Sequence, residues 1–314
     1  MSSHGIAEGR PSGGRLKLRR PSSLMGYLMI GPTMVLLVIF SYYPFFSSLF
    51  YSLTNWDGIQ SVFIGLTNYK NVLANPEWWL SMGNVVFIWI FSVLRVLILP
   101  LLAAELLFNI RSIKAQNRYR ALLITGGLAV PWMVIALLWQ TFYHPGYGLF
   151  FQVFQALGIE HLAPQWEGTR WMALTKTMVM GFPWVGGLNT LIYLAGLQAI
   201  PNELFDAAKV DGVSGLFQRL FRIDLPLLLG QIKLLIILCT SGALQGYELI
   251  MVMTGGNPFR QSMVPGLLMY YKAFVYREFG YGAAIAVILF LLILAITYLN
   301  FKYIRSSTEY EASS

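Results

Sequence analysis

Long gaps between charged residues dominate the chain. Residues 21–56, 121–143, 177–202 and 279–301 contain no Asp, Glu, Lys or Arg. Two further apolar stretches carry one interior charge each, Arg95 in 82–104 and Lys233 in 226–247. A membrane-spanning helix needs about 20 apolar residues. The pattern therefore predicts six spans, over 24–45, 82–108, 121–142, 171–197, 226–247 and 281–303. No segment keeps the two-residue alternation of a transmembrane barrel. The fold class expected is an all-α integral membrane protein with six transmembrane helices.

Composition agrees. Of 314 residues, 56% are hydrophobic and 11% charged, where a soluble domain carries about 25% charged residues. Mean hydropathy is +0.60. Disorder of the whole chain is excluded, because disordered chains are rich in charge and poor in aromatics. A disulfide scaffold is excluded because Cys239 is the only cysteine. It lies inside an apolar helix and reads as a small core residue.

The loops set an orientation. Basic residues cluster before span one (Arg10 to Arg20), between spans two and three (Arg111 to Arg120), and between four and five (Lys209, Arg219, Arg222). Lys302 and Arg305 follow span six. They outnumber Lys70, Arg170, Arg260, Lys272 and Arg277 on the other side. The positive-inside rule puts both termini in the cytoplasm. The net charge of +8 is thus a topology signal, and no nucleic-acid partner is read from it. Residues 1–23 and 306–314 read as cytoplasmic tails, the first disordered, flanking a transmembrane domain over 24–305. The first apolar stretch is longer than a signal-peptide core and lacks a small-residue cleavage site. The outer segments 46–80, 143–170 and 248–280 are rich in aromatics such as Trp56, Trp78, Trp79, Tyr147, Trp166, Trp171, Tyr270 and Tyr271. Such residues suit a membrane interface or protein contacts.

Catalytic signatures are missing. No G-x-x-x-x-G-K-[ST] occurs, so the chain has no phosphate-binding loop of its own. His4, His144 and His161 do not pair at metal-ligand spacing. Gly181, Gly186 and Gly187 in span four read as sites of close helix packing. Neither an enzyme nor a resident cofactor is expected.

The segment 198–225 is the most informative. Glu203 and Asp206 suit the positive end of a short helix, Asn202 suits its N-cap, and Gly212 can end it. Leu204, Phe205, Ala207, Ala208 and Val210 give that helix an apolar surface away from lipid. It packs either on its own bundle or on a partner protein.

These residues resemble the EAA loop of binding-protein-dependent ABC importer permeases, in the sugar branch related to the maltose permeases. Asp206-Ala207-Ala208 stands where Glu-Ala-Ala is usual, followed by Gly212 and by Ile223-Asp-Leu225-Pro226. Ala195–Pro201 (AGLQAIP), Tyr247–Pro258 (ending TGGNP) and Phe63–Tyr69 (FIGLTNY) resemble further family segments in the expected order. The gap from Gly212 to Ile223 is one residue longer than usual, which places a bulge near Ser214-Gly215.

The resemblance implies a type I ABC importer permease core in a bacterial inner (cytoplasmic) membrane. It implies a second, homologous permease subunit, two ATPase subunits that bind ATP and Mg, an extracytoplasmic solute-binding protein and a sugar substrate. It makes Glu203, Leu204, Phe205, Asp206, Ala207, Ala208, Asp211 and Gly212 the ATPase-coupling contact. Ionisable residues inside a membrane are costly and mark function, so Arg95 and Lys176 are candidates for the substrate path. Asn189, Gln245 and Tyr247 could add hydrogen bonds there. Two cations would suit a uronate oligosaccharide or a sugar phosphate; structural pairing of Arg95 is the competing reading. Lys233, near the inner end of span five, could snorkel. Pro100 and Pro183 are expected to interrupt spans two and four. A secondary transporter or channel without an ATPase stays an alternative, as does glycerol phosphate as the substrate.

Overall fold

The computed structural model describes residues 23–128, 131–213 and 215–303. The expected tails, apart from Ser23, lie outside them, as do residues 129–130 and Ser214. The chain divides after Ser47 into two units. The helical elements are α1 (Ser23–Leu37), a π turn (Val38–Tyr42), α2 (Tyr43–Tyr51), α3 (Thr67–Ala74), α4 (Pro76–Phe108), α5 (Ile113–Leu128), α6 (Trp132–Phe142), α7 (Leu149–Ala156), α8 (Arg170–Val179) and α9 (Gly187–Ala199). They continue with α10 (Asn202–Val210), α11 (Leu216–Arg219), a π turn (Leu220–Asp224), α12 (Leu225–Leu227), α13 (Leu229–Gln245), α14 (Glu248–Met253), α15 (Pro265–Tyr270), a π turn (Tyr271–Val275) and α16 (Phe279–Tyr303). The one sheet among the described residues is a hairpin of β1 (Thr54–Trp56) and β2 (Ser61–Phe63). The all-α class holds.

Among the described residues, three helices are long and apolar enough to cross a membrane: Met25–Tyr51, Pro76–Phe108 and Phe279–Tyr303. The expected fifth span is a pair, Leu216–Leu227 and Leu229–Gln245, bent by 72°. The other two expected spans are broken. Span three divides into α5 and α6 around Pro131, which caps α6. Span four divides into α8 and α9, where Gly181 (φ 78°) and Trp184 (φ 56°) leave helical geometry beside Pro183. Proline lacks the N–H that a continuing helix needs. Pro100 does not interrupt: α4 runs through it unbroken.

α4 is the spine. Its first half shares a core with α3 and α13–α16, around Trp78, Val85, Leu244, Leu267, Leu268 and Ile285. Its last turns share another with α9 and α13, around Leu101, Ala104, Tyr193, Leu197 and Leu228. Trp78, expected at an interface, is fully buried. Gly187 explains the closeness of α9 to α5, since a Cβ there would collide with the Leu123 backbone. Two buried asparagines tie distant segments together. Asn68 donates to Ser52 O and Thr54 O at 2.9 and 2.8 Å. Asn84, fully buried on α4, donates to Gln261 O and Met263 O at 2.8 and 2.6 Å and accepts from Arg170 Nε at 2.7 Å.

Candidate functional site: a central cavity and a short loop helix on one spine

A cavity of about 420 Å³ opens between the middle of α4, α6, α8, α9, α13 and α14. Arg95 and Asn189 line it, as do Glu248, Ser92, Cys239 and the aromatic rings of Phe91 and Trp132. The structure thus brings together two of the five residues expected on a substrate path. Among the described residues, the Arg95 guanidinium forms no ion pair. Arg carries five N–H donors, so this group faces the cavity with its hydrogen-bonding capacity free. Glu248 supplies the opposite charge in the same wall. The cavity is therefore bipolar, with aromatic and amide surface between.

The other three are elsewhere. Lys176 is 1% exposed, and its Nζ contacts Glu167 Oε1 at 2.6 Å; it does not line the central cavity. Gln245 is exposed at the end of α13. Tyr247 stacks on Tyr270, ring centroids 5.4 Å apart. Cys239 lines the cavity rather than a closed core. Lys233 is buried, with its ammonium 4.5 Å from the centre of the Phe301 ring.

The segment after α9 forms the expected short helix, α10. Asn202 is its first residue, and Pro201 occupies the N-cap without a side-chain hydrogen bond, so the capping role expected of Asn202 is absent. Pro201 fits because its ring fixes φ and a cap needs no donor. The C-terminal end is as expected. Gly212 takes φ 82°, its N–H donates to Lys209 O, and the Val213 N–H donates to Ala208 O at 2.9 Å. This paired closure, with glycine in the left-handed region, is a Schellman motif.

α10 has two faces. Phe205 and Ala208 line a groove of about 550 Å³ against Phe108, Leu216, Arg219 and Ile223. Glu203, Leu204, Asp206, Ala207, Val210 and Asp211 point away from the bundle and are exposed. Val210 is 88% exposed and Leu204 46%. The Lys209–Asp206 ion pair at 2.8 Å is fully solvated and adds little stability. Both earlier readings of the apolar surface are therefore half right: one face packs on the bundle, the other is free.

The sequence reading missed what holds this helix. Arg219, counted there only as a topology charge, donates to Glu105, to Asp224 Oδ2 at 2.9 Å and to Asn109 Oδ1 at 3.1 Å. Its guanidinium also sits 5.5 and 5.6 Å from the ring centres of Phe108 and Phe205. Glu105 and Asp224 are 1% and 0% exposed. A cluster of opposite charges near the ends of two apolar segments was the available signal. The extra residue expected near Ser214-Gly215 falls partly outside the described residues; the π turn Leu220–Asp224 just downstream is a geometry that takes up an added residue.

Comparison with known proteins follows this geometry. Residues 97–308 match the family described as binding-protein-dependent transport system inner membrane component. The chain is 33% identical over 288 residues to a trehalose/maltose transport system permease protein of Thermococcus litoralis, covering 91% of this chain and 95% of the relative. It is 31% identical over 300 residues to an sn-glycerol-3-phosphate transport system permease protein of Brucella abortus, covering 94% and 99%. Its fold is similar to a chain of a bacterial alginate ABC transporter, solved in complex with an alginate pentasaccharide-bound periplasmic protein. The TM-score is 0.74 at 18% identity, over 88% of this chain and 93% of that one.

Proposed function

Because this chain belongs to the binding-protein-dependent transport system inner membrane components, we propose that it is the permease subunit of an ATP-driven importer of sugars or oligosaccharides. It is a transport component and not an enzyme. A solute-binding protein delivers the sugar from outside, a second permease subunit completes the path, and two ATPase subunits bind ATP and Mg. Both termini face the cytoplasm, and so does α10.

One arrangement on α4 carries this reading. Arg95 stands in the cavity wall, and Glu105, ten residues on, is tied by Arg219 to the α10 region. At 1.5 Å per residue that is about 15 Å along one helix. Docking of an ATPase on the free face of α10 would move the Phe205–Arg219–Glu105 contact, and α4 would pass that movement to the cavity. Two distinct sites joined through one rigid element is what alternating access requires.

The cavity suits sugar. Phe91 and Trp132 offer faces to ring C–H groups, and Asn189, Ser92 and Glu248 offer hydroxyl partners. Arg95 favours a uronate or a phosphate ester; Glu248 opposes it. ATP hydrolysis by the reconstituted complex with its binding protein tests this, using maltotriose, trimannuronate and sn-glycerol 3-phosphate, in wild type and Arg95→Gln. Stimulation by one sugar is the expected result. Stimulation by trimannuronate alone, lost in Arg95→Gln, assigns an anionic oligosaccharide. Stimulation by glycerol phosphate alone overturns the sugar reading.

A further inference from the structure

A second cavity, of about 670 Å³, lies outside the site just described. The end of α6, the turn 144–147 and the segment 165–168 enclose it. It is at the opposite end of α4 from α10. Arg170, which opens α8, bonds Asn84 in the first third of α4, whereas Phe205 of α10 meets Phe108 at its last residue.

We propose that this cavity is a binding subsite for neutral pyranoses at the outer mouth of the permease, separate from the central cavity. The inference rests on the sugar-import reading above. Three features carry it. First, the wall presents aromatic faces held in place by other rings. Trp166 packs against Tyr143 at 4.8 Å and Phe150 at 5.5 Å, and His144 stacks on Tyr147 at 3.6 Å. Second, the amide groups of Gln140 and Gln165 line the cavity and form no hydrogen bond among the described residues. Each supplies an acceptor and two donors, a match for neighbouring sugar hydroxyls. Third, Glu167 is anchored at the rim from below. Its side chain is 71% exposed, yet its Oε1 is gripped by Lys176, which is 1% exposed.

That ion pair is an expensive way to gain stability, because desolvating an ammonium offsets most of the attraction. Its geometric result is that one carboxylate oxygen is held still while the other stays open to the cavity. A fixed carboxylate accepts from paired hydroxyls and, having no N–H or O–H to donate, offers nothing to a carboxylate or phosphate. The subsite is therefore selective for uncharged rings, even though the central cavity also contains Arg95. Small-ligand sites have this make-up, an apolar lining with a few placed polar groups.

The test is saturation-transfer NMR on the intact transporter complex in nanodiscs without its binding protein, with maltotriose and trimannuronate as probes. Transfer to maltotriose ring protons is expected, with weaker transfer to trimannuronate. Gln140→Ala and Gln165→Ala should each cut the maltotriose signal about fivefold, one hydrogen bond's worth. Both side chains are exposed and unbonded, so these variants leave the fold intact. Absence of transfer, equal signals in the two variants and wild type, or a preference for trimannuronate would each overturn the subsite. Uptake by proteoliposomes containing the binding protein separates the two levels. Sugar uptake without transfer sinks the subsite alone; no uptake of any sugar sinks the import reading and the subsite with it.

Discussion

Arg219 donates to Glu105 across 114 residues of sequence, and this contact joins the α10 region to the end of the spine helix. The same guanidinium serves Asp224, so one cation faces two carboxylates that are almost wholly buried. Among the described residues, Glu105 Oε1 and Asp224 Oδ1 have no hydrogen-bond partner. Arg219 is the cation that both carboxylates share.

Arg219→Met should cost about 3–5 kcal/mol, the usual penalty for leaving buried charge uncompensated. Arg219→Met with Glu105→Gln and Asp224→Asn should regain most of that, since no charge then remains. Thermal unfolding of the detergent-solubilised complex measures both. A single variant as stable as wild type would contradict the role given to this cluster.

The end of α10 offers a cleaner test of coupling. Gly212 sits at φ 82°, which proline's fixed ring cannot reach, and its N–H is used by Lys209 O. Ala207 is on the exposed face of α10. Gly212→Pro and Ala207→Arg should therefore abolish uptake while the chain still inserts with its partner permease. Gly212→Ala should lose only about 1–2 kcal/mol of local stability. Uptake assays alongside co-purification decide the matter; normal uptake in both Pro and Arg variants removes α10 as the coupling contact.

How much of this was legible depended on whether the information was local. Charge-free runs announced apolar helices correctly, because burial in lipid constrains each residue by itself. The break at Pro183 was readable, but Pro131 was not weighed, and Pro100 gave no break because neighbouring helices can satisfy the freed carbonyl. Pairings were the blind spot. Lys176 stood out in the sequence as a lone cation in an apolar run; its partner Glu167 lies before the start of α8, a contact that no helical spacing encodes. Arg219 was hidden as a loop charge. Asn84 drew no attention, although an isolated amide in an apolar run had to find partners.

Asn84 gives the third prediction. Asn84→Leu keeps the branching at Cγ but adds bulk and removes the partner of buried Met263 O and of part-buried Gln261 O and Arg170 Nε. Each unsatisfied buried group costs about 1–3 kcal/mol, and water reaching Arg170 relieves part of it. A loss of about 3–5 kcal/mol is expected, with lowered thermal stability. Asn84→Asp should not rescue it, because a carboxylate would face the same two carbonyls. Stability within 1 kcal/mol of wild type in Asn84→Leu would refute this tie.

Two glycines separate packing from transport. At Gly187 an added Cβ would meet the carbonyl of Leu123, a backbone atom that cannot swing aside. Gly187→Ala should push α9 from α5 and destabilise by about 1–3 kcal/mol, as overpacking does. At Gly242, inside α13, nothing lies within 4 Å of the added Cβ, and alanine is the better helix former by about 1 kcal/mol. Gly242→Ala should therefore be as stable as wild type or more so. Yet Gly242 lines the central cavity, so the methyl group narrows the space open to sugar. If that cavity is the path, Gly242→Ala should lower oligosaccharide uptake more than uptake of a monosaccharide, with thermal stability kept. Equal uptake of every chain length, measured in proteoliposomes, would place the path elsewhere in the complex.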